Sequence, residues 1–219
     1  MAAGWGSARP EALRVLYVTA SSRGDLRVDE EIRRVKAAVR AAVHRDGVHI
    51  EHQPAATLGD LLDGLSRVVP HVVSFSGHAA EDLVVFDTGA DSRGAGHQVP
   101  SGVFAQAMAA VDTPPRLVVL NACRSQAQLQ ELVRVVPIAV GMAGSIGDPA
   151  AIAFAARFYA ALTDGQSVRG AYQLAKVQLA GADRTAADAD LPVLEHDPSV
   201  DPGATVLVVP PPLPDPAQG

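Results

Sequence analysis

The sequence is poor in cysteine, in aromatic residues and in positive charge. Cys123 is the one cysteine among 219 residues, so no internal disulfide can form, and a free thiol is typical of a reducing cytoplasm. Aromatic residues make up 4% of the chain and the formal net charge is −6. Neither a stacking platform nor a basic stripe is present, so the sequence predicts no nucleic-acid partner.

Long apolar spans and cofactor motifs are also missing. The opening "MAAGWGSARPEAL" lacks the apolar core of a signal peptide, and the most apolar long stretch is interrupted by Arg157 and too short to span a bilayer. Gly24, Gly77 and Gly102 form neither a GxGxxG motif nor a P-loop, and no HExxH or CxxC spacing indicates a metal site. We therefore expect a soluble cytoplasmic protein without membrane contact, metal or cofactor.

Apolar residues make up 48% of the sequence and charged residues 19%, a globular composition. Apolar runs typical of buried strands alternate with segments of helical periodicity, which predicts one α/β domain with a parallel sheet flanked by helices. The expected strands are "LRVLYVTA" (13–20), "GVHIEHQ" (47–53), "HVVSFS" (71–76), "RLVVLNAC" (116–123), "PIAVGMA" (137–143) and "ATVLVVP" (204–210).

One domain is expected over residues 13–209. Residues 1–12 form an N-terminal tail, and the proline-rich residues 210–219 are expected to be disordered. The segment 181–203 is interpreted as a long polar loop within the domain. Thr57, Ser101 and Asp148 are the expected N-caps of three helices.

His78 and Cys123 each follow the carboxyl end of a predicted strand. Sites of open parallel sheets form at those ends, so the two side chains face one crevice if their strands are neighbours. A thiol is mostly protonated at neutral pH, and a histidine within reach together with a helix N-terminus increases its thiolate fraction. The pattern is therefore compatible with a Cys/His pair for acyl transfer.

A structural role explains the same residues. A lone cysteine at the end of a core strand is more often inert packing. The other six histidines have no partner in the sequence that marks them as functional: His44, His49, His52, His71, His97 and His196. The residues alone leave both interpretations open.

The segments "SFSGHA", "VVLNACRS" and "VPIAVGMAGSIGDPAAIAFAARFYAALTDGQSVRGAYQLAKVQL" resemble the CHAT domain of the caspase-like cysteine peptidases. The segment "RVLYVTASSRGDLRVDEEIRRVKAAVRAA" resembles the opening of bacterial members of that group. The resemblance extends in order from about Leu13 to Leu179. It implies a caspase-like three-layer sandwich with a mainly parallel central sheet, with His78 and Cys123 as the catalytic residues.

The resemblance also implies an oxyanion hole formed by the backbone N–H groups of Ala79 and Cys123. The family usually has glycine in place of Ala79, and alanine keeps the N–H but resists a positive φ. By the same resemblance Asn121 lines the primary specificity pocket, where an acidic residue would suit a basic substrate side chain. Asp148 is the nearest candidate acid, with helix capping as its alternative role.

Ser21 and Ser145 lie in loops on the same rim and are further candidates for substrate contact. Arg23, Asp25 and Arg27 share the first of these loops, and a solvated turn explains them equally well. Two functions of different class remain. The first is a cysteine endopeptidase acting on a protein or peptide substrate, and the resemblance implies that a partner protein switches it on in a bacterial conflict or immunity system. The second is a catalytically silent interaction scaffold, and a small-molecule-binding domain is a weaker third hypothesis.

Overall fold

The structure, a computed structural model, describes residues 12–21, 24–80, 82–89, 96–183 and 185–209. These residues form nine strands and six α-helices. The expected tails up to residue 11 and from residue 210 lie outside these ranges. The strands are β1 (Leu13–Ala20), β2 (Val48–Gln53), β3 (Val72–Gly77), β4 (Ala79–Ala80), β5 (Leu83–Phe86), β6 (His97–Pro100), β7 (Leu117–Asn121), β8 (Ile138–Met142) and β9 (Pro192–His196). The helices are α1 (Val28–Ala41), α2 (Leu58–Val68), α3 (Ser101–Ala109), α4 (Gln126–Leu132), α5 (Asp148–Thr163) and α6 (Val168–Ala180).

Six of the strands form the central sheet, in the order β2-β1-β3-β7-β8-β9. All neighbours in it are parallel except β8 and β9. The mainly apolar sequences of β3, β7 and β8 follow from this position, because every residue of those strands is buried and helices cover both faces of the sheet. The predicted strands from 13 to 143 are confirmed.

Two helical layers cover the sheet, because alternate residues of each strand face opposite sides. Tyr17 of β1 packs in a core with α1, α5 and α6, whereas Leu16 and Val18 pack in a second core with α2, α3 and α4. The second core also includes residues of β5 and β6, which form a small antiparallel sheet with β4. The predicted three-layer α/β sandwich is confirmed.

Three local predictions are wrong. Residues 204–210 form no strand in the part that the structure describes; Leu207 and Val208 are buried, and Val206 makes one isolated bridge to Ser167. The segment 181–203 is not a plain loop, since it contains β9. Neither Ser101 nor Asp148 is an N-cap. Each is the first residue of its helix, and the N-caps are the preceding residues Pro100 and Gly147.

The N-cap at Thr57 is confirmed. Its hydroxyl accepts the Asp60 N–H at 3.2 Å while the Asp60 carboxylate accepts the Thr57 N–H at 2.8 Å, a complete capping box. Within the described ranges, none of the helices is long and apolar enough to cross a bilayer.

Candidate active site

His78 and Cys123 follow neighbouring parallel strands at the same edge of the central sheet. Ser76 of β3 lies opposite Asn121 of β7 in the register. His78 and Cys123 each come two residues after this pair, and adjacent strands lie about 4.8 Å apart. The expectation that their strands are neighbours is therefore confirmed, and both residues can reach one substrate.

Cys123 lies in a tight turn between β7 and α4, and hydrogen bonds to neighbouring backbone hold this turn in place. Arg124 has φ 54°, a left-handed conformation that is uncommon for a residue with a Cβ, and its N–H donates to the Gly144 carbonyl at 2.9 Å. The buried Ser125 hydroxyl donates to Leu120 O at 3.1 Å and accepts the Met142 N–H at 2.9 Å. The turn is thus tied to both β7 and β8.

Gly141 of β8 makes room for Ser125. A Cβ at Gly141 would lie 2.7 Å from the Ser125 hydroxyl oxygen, closer than real contacts allow. The glycine therefore permits the serine hydroxyl to approach β8 and to hold the cysteine turn against it.

Asp25 is the hydrogen-bond partner of His78. Nε2 of His78 lies 2.8 Å from Oδ1 of Asp25, and the two side chains are 30% and 48% exposed. Asp25 belongs to the loop that follows β1, the strand next to β3. Gly77 allows the two strands to come close at this end, because a Cβ there would lie 2.6 Å from Ala20 O.

The thiol and the imidazole have different partners in this structure. Sγ of Cys123 lies 3.7 Å from the carbonyl oxygen of Ile146, which accepts its hydrogen bond. Among the described residues, no hydrogen bond joins Cys123 to His78. The two side chains thus share an edge of the sheet without forming a closed pair.

Ala79 begins a hairpin directly after His78, and its N–H points away from the partner strand β5. The Val85 N–H donates to His78 O at 2.9 Å, and Ala79 lies opposite Val84. Because hydrogen-bonded and non-hydrogen-bonded pairs alternate in an antiparallel ladder, Ala79 belongs to a pair that exchanges no hydrogen bonds. Its N–H is therefore not used by β5. Ala79 has no positive φ, so alanine fits this backbone without strain.

Gln128 links this hairpin to the helix that follows Cys123. The side chain is buried on α4, and its Nε2 donates to Ala80 O and, at 3.1 Å, to Leu83 O. Ala80 and Leu83 are the pair at the closed end of the β4–β5 hairpin. Gln128 therefore holds the segment after the histidine against the segment after the cysteine.

A small cavity opens beside Cys123 on the α1 and α5 side of the sheet. The space between atoms here amounts to about 340 Å³ with open solvent included, and Cys123, Asn121, Ser76, Asp148 and Glu31 line it. Asn121 is buried and donates its Nδ2–H to Ala151 O at 3.1 Å, while its Oδ1 has no hydrogen-bond partner among the described residues. Asn121 and Cys123 face the same space, although β7 ends at Asn121 and Cys123 lies in the following turn.

Glu31 of α1 is a buried carboxyl in the wall of this cavity. It is 4% exposed, and Tyr17 donates a hydrogen bond to its Oε1. Burial raises the pKa of Glu31 to about 7, opposed by hydrogen bonds from Tyr17, Asn121 and Ser76 and assisted by the negative charge of Asp148. A carboxyl group in the α1 layer thus reaches the site.

The predicted substrate residues divide into two groups. Asn121 and Asp148 line the cavity, and Oδ2 of Asp148 accepts the Arg27 N–H at 3.2 Å. Ser145 is exposed and Ser21 is half-buried in its own turn, where its hydroxyl accepts the Leu26 N–H at 3.4 Å. Neither serine lines the cavity.

Three residues of the site were missed by the sequence analysis: Glu31, Ser125 and Gln128. Asp25 was named there, but as a candidate for substrate contact or a solvated turn and not as the partner of His78. A usable signal existed for Glu31, which is four and eight residues before the core residues Val35 and Val39 and so shares their face of α1. Among the described residues, no group of three or more potential ligands could hold a metal ion.

Comparison with known proteins identifies the family. The model of the CHAT domain matches residues 10–200, so the chain belongs to the CHAT domain family. No curated protein sequence matches the chain significantly.

The fold is similar to solved structures of caspase-like cysteine proteases. A secreted C11 cysteine protease from Bacteroides thetaiotaomicron, solved with an irreversible peptide inhibitor, shares 13% identity at a TM-score of 0.58 over 78% of this chain and 59% of its own. The Arg-specific cysteine proteinase gingipain R shares 12% identity at a TM-score of 0.61, over 89% of this chain and 47% of its own. Caspase-1 from Spodoptera frugiperda shares 8% identity at a TM-score of 0.54, over 86% of this chain and 88% of its own. The chain thus spans about half the length of the first two structures.

Proposed function

We propose that this chain is a cysteine endopeptidase that hydrolyses peptide bonds of a protein substrate, with Cys123 as nucleophile and His78 as general base. The observation that carries the proposal is the position of the two residues, which follow neighbouring parallel strands beside a cavity in a caspase-like fold. Asp25 is the third member, since it holds the imidazole at 2.8 Å.

The acylation step uses these groups in sequence. With Nε2–H of His78 donating to Asp25, the lone pair on Nδ1 accepts the proton of the Cys123 thiol. The thiolate attacks the substrate carbonyl carbon and forms a tetrahedral oxyanion. When the C–N bond breaks, the imidazolium returns the proton to the leaving amine, and a thioester to Cys123 remains.

The deacylation step reverses the roles of the same groups. Water loses a proton to His78 as it attacks the thioester, and the thiol leaves with that proton while the carboxylic acid product departs. In both steps the N–H groups of Ala79 and Cys123 stabilise the oxyanion. The Ala79 N–H suits this role because the β4–β5 ladder does not use it.

We further propose that a partner protein activates this cytoplasmic chain, within a bacterial conflict or immunity system. The separate partners of the two catalytic side chains support a resting state: the thiol contacts Ile146 O and the imidazole contacts Asp25. Separate partners fit such a resting state, because active-site pairs are often loose without substrate.

The alternative function is a silent scaffold, for which the main argument was the alanine that replaces the family glycine. The extended backbone at Ala79 removes the steric part of that argument. The peptidase is therefore the function that we favour.

The test is proteolysis and labelling by a peptide electrophile, with and without proteins encoded nearby. We expect Cys123→Ala and His78→Ala to abolish turnover while circular dichroism shows an intact fold. His49→Ala, which changes an exposed histidine on the sheet edge, serves as the matched control. Equal turnover by Cys123→Ala and the parent chain would overturn the proposal.

A further inference from the structure

We infer that the cavity beside Cys123 receives a cationic substrate side chain, arginine or lysine, immediately before the cleaved bond, and that Glu31 is the carboxylate that selects it. This inference rests on the proposed peptidase function. It assigns a role to a residue of α1 that the catalytic steps do not use.

Position is the first argument. When Sγ of Cys123 attacks a peptide carbonyl, the side chain of that residue branches from the adjoining Cα and must enter space that touches the cysteine. The cavity meets this requirement because Cys123 itself forms part of its wall. Apolar side chains of Leu26, Ile146 and Ile152 also line it and can pack against the methylene groups of a long basic side chain.

The second argument is that two carboxyl groups in the cavity wall have no ion-pair partner in the part of the chain that the structure describes. Glu31 and Asp148 both line the cavity, and no ion pair within the described ranges includes either carboxyl. Arg27 also borders the space, but it is its backbone N–H that contacts Asp148. Two carboxyls facing one buried space repel each other, and a cation between them relieves both repulsion and desolvation.

An unused acceptor is the third and independent argument. Asn121 is 4% exposed, lines the cavity, and keeps its Oδ1 without a hydrogen-bond partner among the described residues. Buried polar atoms are normally paired, so an orphan acceptor beside a cavity indicates a donor from a ligand. The acceptors of Asn121, Glu31 and Asp148 together suit a guanidinium or ammonium group, which has several N–H donors and no acceptor.

The first test compares peptides that differ only in charge. Arginine and its neutral isostere citrulline are placed before the cleaved bond, and kcat/KM or the labelling rate by the matching chloromethyl ketones is measured at pH 8. We expect the arginine peptide to react about 100-fold faster, and the preference to fall below about ten-fold in Glu31→Gln. Glu30→Gln, the same change on the adjacent residue, whose carboxylate pairs with Arg33 and Arg34 and does not line the cavity, should keep the full preference.

The second test needs no turnover. Binding of agmatine, a free alkyl guanidinium, is measured by calorimetry to Cys123→Ala and to the double variant with Glu31→Gln, with at least ten-fold weaker binding expected for the latter.

The outcomes separate the two proposals. Equal reaction of the arginine and citrulline peptides, with turnover that still depends on Cys123, would overturn the inference and leave the peptidase in place. Agmatine binding that depends on Glu31, without labelling of Cys123 by any peptide electrophile, would support the cation pocket and count against the peptidase. Absence of both would overturn both.

Discussion

Nε2 of His78 lies 2.8 Å from Oδ1 of Asp25, although 53 residues separate them in the sequence. Their loops follow the neighbouring strands β3 and β1, so the contact is a product of the sheet order. A carboxylate that accepts a hydrogen bond from one ring nitrogen fixes the tautomer and orients the other nitrogen. The structure therefore contains a third polar residue behind the Cys/His pair.

The first prediction concerns this third residue. Asp25→Ala should lower kcat about 100-fold or more with little change in KM, because the imidazole loses its orientation and tautomer preference while the substrate cavity is intact. Steady-state kinetics on a peptide substrate measure the effect. The control is Asp46→Ala, an exposed aspartate far from the site. An unchanged kcat would show that the contact of Asp25 with His78 is a surface hydrogen bond without a role in catalysis.

The second prediction concerns Gln128 as a positioning residue. Gln128→Met removes both donors to the Ala80 and Leu83 carbonyls and frees the hairpin that begins at Ala79. We expect kcat to fall about ten- to 100-fold and a peptide aldehyde, whose adduct needs the oxyanion hole, to bind about ten-fold more weakly. Alkylation of Cys123 by iodoacetamide, which forms no oxyanion, should keep its rate.

Gln130→Met is the matched control, since Gln130 is exposed on the same helix. A parallel loss of aldehyde binding and of iodoacetamide reactivity in Gln128→Met would instead indicate general disorder of the α4 region.

The third prediction concerns the support beneath the cysteine turn. Ser125→Ala leaves the buried Met142 N–H without its acceptor, so the free energy of unfolding should fall by about 1–3 kcal/mol. Urea unfolding measures this loss. Ser66→Ala, which removes an exposed hydroxyl bonded to Leu62 O on α2, should change stability by less than about 0.5 kcal/mol. Similar losses in both variants would contradict a special role for Ser125.

Much of the fold could be predicted because the central strands are buried on both faces and leave continuous apolar runs. β9 escaped prediction because it is an edge strand of mixed sequence, "PVLEH", and only its first residue is fully buried. The apolar run 204–210 was wrongly predicted as a strand. Leu207 and Val208 are buried, but β9 already occupies the edge of the sheet next to β8. Burial creates apolar sequence whether or not a strand forms.

The candidate site was predictable only where its residues follow strands. The sequence predicts a position for His78 and Cys123, because the ends of the strands determine where these two residues lie. The expected position of Asn121 came from the resemblance. Asp25, Glu31 and Gln128 come from a loop and two helices, and their contacts depend on how these elements pack across the sheet. An acidic residue in the first turn of α1 has an ordinary explanation in the helix dipole, which concealed the buried position of Glu31.

The last prediction is a pH dependence of stability that originates at Glu31. The pKa of its carboxyl is raised from an ordinary value of 4.5 to about 7, first by burial and also by the charge of Asp148, while hydrogen bonds from Tyr17, Asn121 and Ser76 oppose the shift. Burial, and to a smaller extent the negative charge of Glu31, raises the pKa of the neighbouring Tyr159 on α5. Between pH 4.5 and 7 the unfolded chain has lost the Glu31 proton and the folded chain keeps it, so stability decreases as pH rises through this window and then levels off. At about 1.4 kcal/mol for each pH unit, the decrease is on the order of 3 kcal/mol.

Glu31→Gln should remove this component, so that the difference in free energy of unfolding between the variant and the parent shifts in favour of the variant from pH 4.5 to pH 8. Urea unfolding at both pH values measures the difference, and Glu51→Gln on the exposed edge strand is the control. If the parent and Glu31→Gln differ by the same amount at both pH values, the carboxyl does not change its charge in the folded protein in this range.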